Sequence, residues 1–493
     1  MEGRDPVASA PASASSAIRK SMAEQIRIIK KAAELAQEKI DYRIAHNEHI
    51  LQAIDVVEAF LRKKHRICYG GQAINAHLPE KYKFYDPDYT IPDYDFYTPE
   101  PEQDVRILVQ DLKKAGFQEI SAREGLHEGT IKLYVDYVPV ADITGLAAPL
   151  YRILSKREFR VNGISYMDIH TLRMMMYLEL SRPRGYVERW PKVYERIMLL
   201  NTFAPNASCR TTRQARRTPL PSTPLTSSQV EHVLQWIVQK QRVFAGLDLV
   251  NGYEQTLKRR TKRMEWIVRT RKPILFFSPT PQEDIRELNE ELERLQKGGG
   301  QYRIKTQQKE DGGELLPILT ILYRGNLPVL YAVQQTACHS YFQLPLSSAS
   351  FRRYPTHPVL RIASVDTLVT LYFSLSLLQD KFLTAGSMEC LANQLIQLSM
   401  KMRSQPDKSP FPFISLNCAG HQASLPSLIR TKVNRMTERK TRLKQVMDPD
   451  TPMPLSDPAV PTMNLNPPAP LAPAKNKRRR TVRRFHPRPY PHD

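Results

Sequence analysis

The chain has 493 residues, with 72 Lys and Arg against 50 Asp and Glu, a formal net charge of +22. That length holds two or three domains, each able to bury its own core, and a surplus of this size is an electrostatic footprint for a polyanion, with nucleic acid the first partner to consider. The longest apolar runs, such as Val369 to Leu378, are about ten residues against the roughly twenty of a spanning helix, so a soluble protein is expected.

The N-terminus, residues 1–17, is rich in Ala, Ser and Pro and lacks the basic start and apolar core of a secretory signal. It reads as a disordered leader. From Ile18 to about Arg62 the residues favour helix, with Leu51, Ile54, Val57, Phe60 and Leu61 at spacings of three and four. Ile67-Cys68-Tyr69 then reads as a short strand, and Gly70-Gly71 as a tight turn into a new helix at Ala73. Glycines there let backbone approach a ligand closely. Tyr94 to Tyr97 is a second strand, Gln103 to Lys114 a helix and Ile131 to Ile143 a further strand, an alternation that argues for an α/β fold.

Downstream, Met167 to Leu200 carries apolar residues at helical spacing with Arg173, Arg189, Lys192 and Arg196 interspersed. Pro205 to Gln229 is a basic loop or boundary, with Arg210, Arg213, Arg216 and Arg217 among Pro, Ser and Thr. The tail, residues 446–493, is Pro-rich and ends in Lys and Arg clusters, which fits a disordered, polyanion-binding segment or a nuclear-import signal. Five scattered cysteines without a C-x-x-C pair predict reduced thiols in a cytosolic setting and no zinc site. His65, His77 and His170 lack ligand spacing and read as structural.

A shift of 180 residues lays Phe96 to Arg106 over Phe276 to Arg286, with Leu108 over Leu288 and Leu112 over Leu292. The pattern predicts two copies of one strand-turn-helix unit, with Thr280 capping the second helix, Pro281 in its first turn and Glu283 as capping-box partner. Asp93 and Asp95 fall over Pro273 and Leu275, so the second copy lacks paired carboxylates.

Asp93-Tyr94-Asp95 places two carboxylates on one face of a strand. Such a pair suits the hard divalent ions that phosphoryl transfer needs. A third carboxylate would come from Asp136 or Asp142, which share one parity and which spacing alone does not separate. Asp86-Pro87-Asp88 lies nearer the glycines, but proline interrupts a central strand.

This combination resembles the polymerase-β-type nucleotidyltransferases, and more closely the poly(A) polymerase catalytic subunits of large nucleocytoplasmic DNA viruses. The likeness rests on Tyr69-Gly70-Gly71-Gln72-Ala73-Ile74-Asn75, Pro92-Asp93-Tyr94-Asp95-Phe96, Pro139-Val140-Ala141-Asp142-Ile143-Thr144 and Arg189-Trp190-Pro191-Lys192-Val193-Tyr194. It implies N-terminal helices and a catalytic nucleotidyltransferase palm in 18–160, a helical connection and basic loop in 161–230, and a degenerate second copy in 231–445. It further implies that Asp93, Asp95 and Asp142 hold Mg²⁺ or Mn²⁺ and carry catalysis, that Gly70, Gly71 and Gln72 meet the triphosphate, and that Arg173 and Lys192 reach ATP. Asn162 and Tyr166 are further base contacts to weigh against capping and core packing. The implied activity is template-independent addition of AMP to RNA 3′ ends, on single-stranded RNA read with little sequence preference. The implied partners are a processivity subunit or a second copy, and the implied setting is host cytoplasm or virion. The alternatives are the same fold with another acceptor or a 2′-5′ linkage, and a catalytically silent RNA-binding scaffold.

Overall fold

Asn47 divides the N-terminal helical stretch in two. In the computed structural model, which describes residues 12–204, 222–259, 271–295, 302–307, 315–346 and 359–447, α1 (Ala12–Ala45) ends just before it and α2 (Glu48–Lys64) begins just after. Its side chain accepts from the N–H groups of His49 and Ile50, which satisfies two donors that a helix start leaves open. The helix starts at Ala12, inside the expected leader; residues 1–11 lie outside the described residues. One face of α2 buries Ile50, Ile54, Val57, Phe60 and Leu61, whereas Leu51 points outward.

The chain then builds a mixed sheet from β1 (Ile67–Cys68), β2 (Tyr94–Thr98), β3 (Ile120–Glu124), β4 (Thr130–Val135), β5 (Val138–Gly145), β6 (Phe159–Val161) and β7 (Ile164–Tyr166). Interspersed are α3 (Gly70–Ala76), α4 (Pro101–Lys114) and α5 (Ala148–Ser155), and α6 (Ile169–Leu180) and α7 (Trp190–Phe203) follow. The strand order is β3-β4-β5-β2-β1-β7-β6. The single strand expected over Ile131 to Ile143 is instead a hairpin, because Asp136 and Tyr137 both take positive φ, 48° and 64°, and reverse the chain in two residues. Asn162 (φ 51°) and Gly163 (φ 78°) turn β6 into β7 in the same way, which is the role Asn162 plays, while Tyr166 packs inside the sheet.

A second sheet repeats the first. Its elements are α8 (Ser227–Gln239), β8 (Val243–Phe244), α9 (Leu249–Arg259), β9 (Ile274–Ser278), α10 (Pro281–Arg294), β10 (Tyr302–Gln307), β11 (Leu319–Arg324), β12 (Leu327–Gln334), β13 (His339–Pro345) and β14 (Val359–Ala363). They continue with α11 (Val365–Leu377), α12 (Ala385–Ser404), β15 (Cys418–Ala419) and α13 (Leu425–Met447). The order β10-β11-β12-β9-β8-β14-β13-β15 matches the first sheet strand for strand, with β15 added at the edge. The 180-residue shift carries β2 onto β9 and α4 onto α10 without a gap. Pro281 does occupy the first turn of α10, but the Thr280 side chain makes no capping bond. Its neighbour Ser278 takes that place: its Oγ accepts the Thr280 N–H and donates to Asp284 at 2.5 Å.

Both sheets lie in one compact unit that ends at Lys432, and a second unit begins at Val433. Within the first unit α6 packs on α11, His170 stacks on Phe373, and Arg157 pairs with Glu389 at 2.6 Å, so the two copies share packing. The expected reduced thiols need correction, because Cys338 and Cys418 form a disulfide and Cys390 is disulfide-bonded as well. Cys338 and Cys418 stand 80 residues apart in sequence, and the pairing of β13 with β15 brings them together. Cys68 is a buried free thiol. The basic loop at 205–221, Cys209 and the tail from 448 lie outside the described residues. No described helix is long and apolar enough to cross a membrane.

Candidate active site

Strand register brings the carboxylates together. β2 and β5 run parallel with Asp95 opposite Asp142, and residues opposite one another in a parallel pair share a face of the sheet. Asp93 lies immediately before β2, two residues ahead of Asp95. Asp136 sits instead on the β4–β5 turn, 2.9 Å from His49 Nε2, and the Asp86-Pro87-Asp88 segment is exposed, with Asp88 3.7 Å from His46.

The glycine turn closes over this cluster. The Tyr69 N–H donates to the Asp95 carbonyl at 2.8 Å, and Gly70 takes φ +70° as α3 begins. A Cβ on Gly70 would stand 2.4 Å from Asp95 Oδ2, so only glycine allows this approach. A Cβ on Gly71 would stand 2.0 Å from Tyr85 Oη. Tyr85 accepts in turn from Arg196 Nη2 at 3.1 Å, and the Arg196 guanidinium lies 4.7 Å from the centre of the Phe84 ring. The Phe84 N–H donates to Asn75 Oδ1 at 2.9 Å. The long stretch between Gly71 and Asp93 therefore folds back over α3 and ties the glycine turn to α7.

Asp93 and Asp95 resist ionisation in this partly desolvated, acidic site. Burial first, and then Asp142, push the Asp93 carboxyl up to about 6. Burial, followed by Asp93 and Asp142, pushes Asp95 up to about 7. Lys132, opposite Asp142 on β4, donates its ammonium to Asp142 Oδ2 and opposes both shifts. Asp142 Oδ1 is buried without a hydrogen-bond partner. Basic groups gather near the carboxylates: Arg189 acts on Asp95, and the Lys192 ammonium is pushed down by burial and by its neighbours Arg196 and Arg189.

As the side chains stand, no three His, Cys, Asp or Glu among the described residues surround a point where a metal ion would sit. Lys132 occupies the Asp142 oxygen that such an ion would need. The donor set nonetheless fits a hard divalent cation: three carboxylates lie together, burial and then mutual repulsion make two of them hold protons unusually tightly, and a buried oxygen is left without a partner.

Of the residues expected to reach ATP, Lys192 is exposed beside Arg189 and Arg196, and Gln72 is half-buried on α3. Arg173 needs correction. It has no exposed surface and donates to Asn201 Oδ1, the Leu200 carbonyl and the Ala204 carbonyl at 2.6–2.8 Å, which ties α6 to the C-terminal end of α7. His77 and His170 are packed among aromatic rings, with His77 Nε2 on the Met167 carbonyl at 2.9 Å. Lys132 and Tyr85 escaped the sequence reading. Lys132 becomes visible once 131–143 is folded as a hairpin about Asp136-Tyr137, which sets it against Asp142.

The second copy has filled the equivalent place. Pro273, Leu275 and Tyr331 replace Asp93, Asp95 and Asp142, since Leu275 lies opposite Tyr331 in the matching strand pair. Gly246, which follows β8 as Gly70 follows β1, is kept for packing: a Cβ there would stand 2.3 Å from the Phe244 ring, and Tyr372 Oη donates to its carbonyl at 2.9 Å.

Residues 55–185 match the model of a family described as the poly(A) polymerase catalytic subunit. The chain resembles the viral poly(A) polymerase catalytic subunits. A mimivirus protein provisionally named a poly(A) polymerase catalytic subunit (Acanthamoeba polyphaga mimivirus) is 29% identical over 177 residues, 35% of this chain and 29% of the relative. A protein of the same name from African swine fever virus (isolate Pig/Kenya/KEN-50/1950) is 31% identical over 167 residues, 33% of this chain and 35% of the relative. The chain thus spans about a third of the length of these relatives. The solved Megavirus polyadenylate synthase matches over 90% of this chain and 86% of its own, with a TM-score of 0.60 and 17% identity. That likeness is one of fold, a mixed α/β architecture with two sheets. All the motifs from Gly70-Gly71 to Asp142 lie within the segment that matches the poly(A) polymerase family.

Proposed function

We propose that this chain is a template-independent polyadenylate polymerase that transfers AMP from ATP to the 3′ end of RNA. The reading rests on one observation above all: Asp93, Asp95 and Asp142 converge beside a glycine turn that presses on Asp95, within the segment that resembles the viral poly(A) polymerase catalytic subunits. In this reading Asp93, Asp95 and Asp142 hold two divalent ions, magnesium or manganese. When bound, such ions activate the RNA 3′ hydroxyl and neutralise charge on the transferring phosphate.

The chain's own residues do the rest. Gly70 keeps side-chain bulk away from Asp95, so the triphosphate can lie against the start of α3. Arg189, Lys192 and Arg196 receive the β- and γ-phosphates, which keeps pyrophosphate in place as it leaves. Arg196 is held ready by Tyr85 and Phe84. The net charge of +22 holds the RNA backbone without reading bases, and the second copy, without carboxylates, serves as a platform. Partners beyond RNA and ATP are a processivity subunit or a second copy of the chain, and the working place is host cytoplasm or virion.

Purified protein incubated with a labelled single-stranded RNA, a divalent ion and each NTP in turn tests the reading. Extension with ATP alone supports it; bound RNA that no NTP extends sinks it in favour of an RNA-binding scaffold.

A further inference from the structure

Lys132 brings positive charge to the carboxylates from within the sheet. It lies directly across the β4–β5 pair from Asp142, and its ammonium donates to Asp142 Oδ2. The lysine keeps 36% of its side-chain surface exposed and can swing away, whereas Asp142 keeps 11% and is fixed in the strand. In the second copy the residue across from Tyr331 is Ile321. The fold therefore retains the lysine where the three carboxylates are present and replaces it with an apolar residue where Pro273, Leu275 and Tyr331 have replaced them.

We propose that Lys132 is a resident cation of the site, a positioning residue that neutralises Asp142 in the ion-free protein and yields Asp142 Oδ2 to an incoming divalent ion. The inference rests on the reading that Asp93, Asp95 and Asp142 hold such an ion. The ammonium keeps its proton throughout; what changes is its partner. Two consequences follow from the competition for one oxygen. Lys132 stabilises the ion-free site, and it weakens the binding of a lone metal ion.

The test titrates Mn²⁺ into full-length, chelator-treated protein without nucleotide, by calorimetry and by the manganese electron-spin resonance signal. Lys132→Met and Lys132→Gln, two neutral variants in case one folds poorly, are compared with Lys132→Arg. The neutral variants are expected to bind Mn²⁺ about tenfold tighter than the parent, a ratio corresponding to one charge-assisted contact released. They should also melt at lower temperature without the ion and recover with it, while Lys132→Arg behaves as the parent. Equal or weaker Mn²⁺ binding by both neutral variants overturns the proposal. If the parent binds Mn²⁺ and loses it on Asp93→Ala/Asp95→Ala, that failure leaves the metal-site reading standing; if neither parent nor variants bind the ion, both fall.

Discussion

Arg66 Nε donates to Asp104 Oδ2 at 2.7 Å in the first copy, and Arg242 Nε donates to Asp284 Oδ2 at 2.7 Å in the second. Around each aspartate the same hydroxyl contact recurs, from Thr98 in one and Ser278 in the other, both at 2.5 Å. The pair locks the strand that leads to the site onto the helix after it, and it has outlasted the loss of the carboxylates, so its task is structural. Asp104 is fully buried, so Asp104→Ala leaves the Arg66 guanidinium to the half-exposed Glu100 and should cost on the order of 3 kcal/mol. Urea unfolding would check this; a change within about 0.5 kcal/mol would contradict the assignment.

Gly70 makes a narrower prediction. Gly70→Ala forces an alanine to φ +70° and its Cβ to within 2.4 Å of Asp95 Oδ2. The strain should cost roughly 1–2 kcal/mol of stability, and Asp95 must move. Primer extension should fall by at least about tenfold while circular dichroism still reports a folded protein. Near-normal extension would mean that the turn does not bear on the reaction.

Arg173 and Lys192 should separate cleanly. Arg173→Ala leaves the Asn201 side chain and helix-end carbonyls without a buried donor, so its cost should appear in the melting temperature. Lys192→Ala, at an exposed position, should melt as the parent does and raise the KM for ATP several-fold. The opposite pattern would exchange the two roles, making Arg173 the ATP contact and Lys192 the structural cation.

His339 offers a pH signature. Burial and then the positive charge of Arg182 push its imidazole from 6.5 down to about 3, and its Nε2 has no hydrogen-bond partner. The unfolded chain takes up a proton near pH 6.5 that the folded chain refuses until about pH 3. Stability from this group is therefore fully present above pH 6.5 and lost as pH falls toward 3, with a slope of up to one proton. Melting curves from pH 8 to 4 should flatten in His339→Gln relative to the parent; parallel curves would rule His339 out.

Much of this was legible in the chain. The glycine turn, the Asp93-x-Asp95 strand and the helix from Pro101 depend on local spacing, which period and turn chemistry report directly. The repeat was visible because β2 and α4 recur in β9 and α10 without an insertion between them. What escaped was pairing across the sheet. Asp136 and Asp142 share parity, and only the reversal at Asp136-Tyr137 sets one on a turn and the other beside Asp95. The same reversal hid Lys132. Arg173 misled because a buried, capping arginine and a phosphate-binding one look alike on an amphipathic helix. Cys338 and Cys418 are likewise joined by a strand pairing at the sheet edge that no local pattern announces.

The central claim is that Asp93, Asp95 and Asp142 form a reacting site for ATP. Its most direct test extends a labelled single-stranded RNA with the parent protein and with Asp93→Ala/Asp95→Ala, each NTP supplied separately, after matching the two proteins' melting temperatures and RNA affinity. A ladder that needs ATP and disappears in the double variant, with RNA still bound, is the predicted result. Equal extension by both proteins, or none by either, would contradict it.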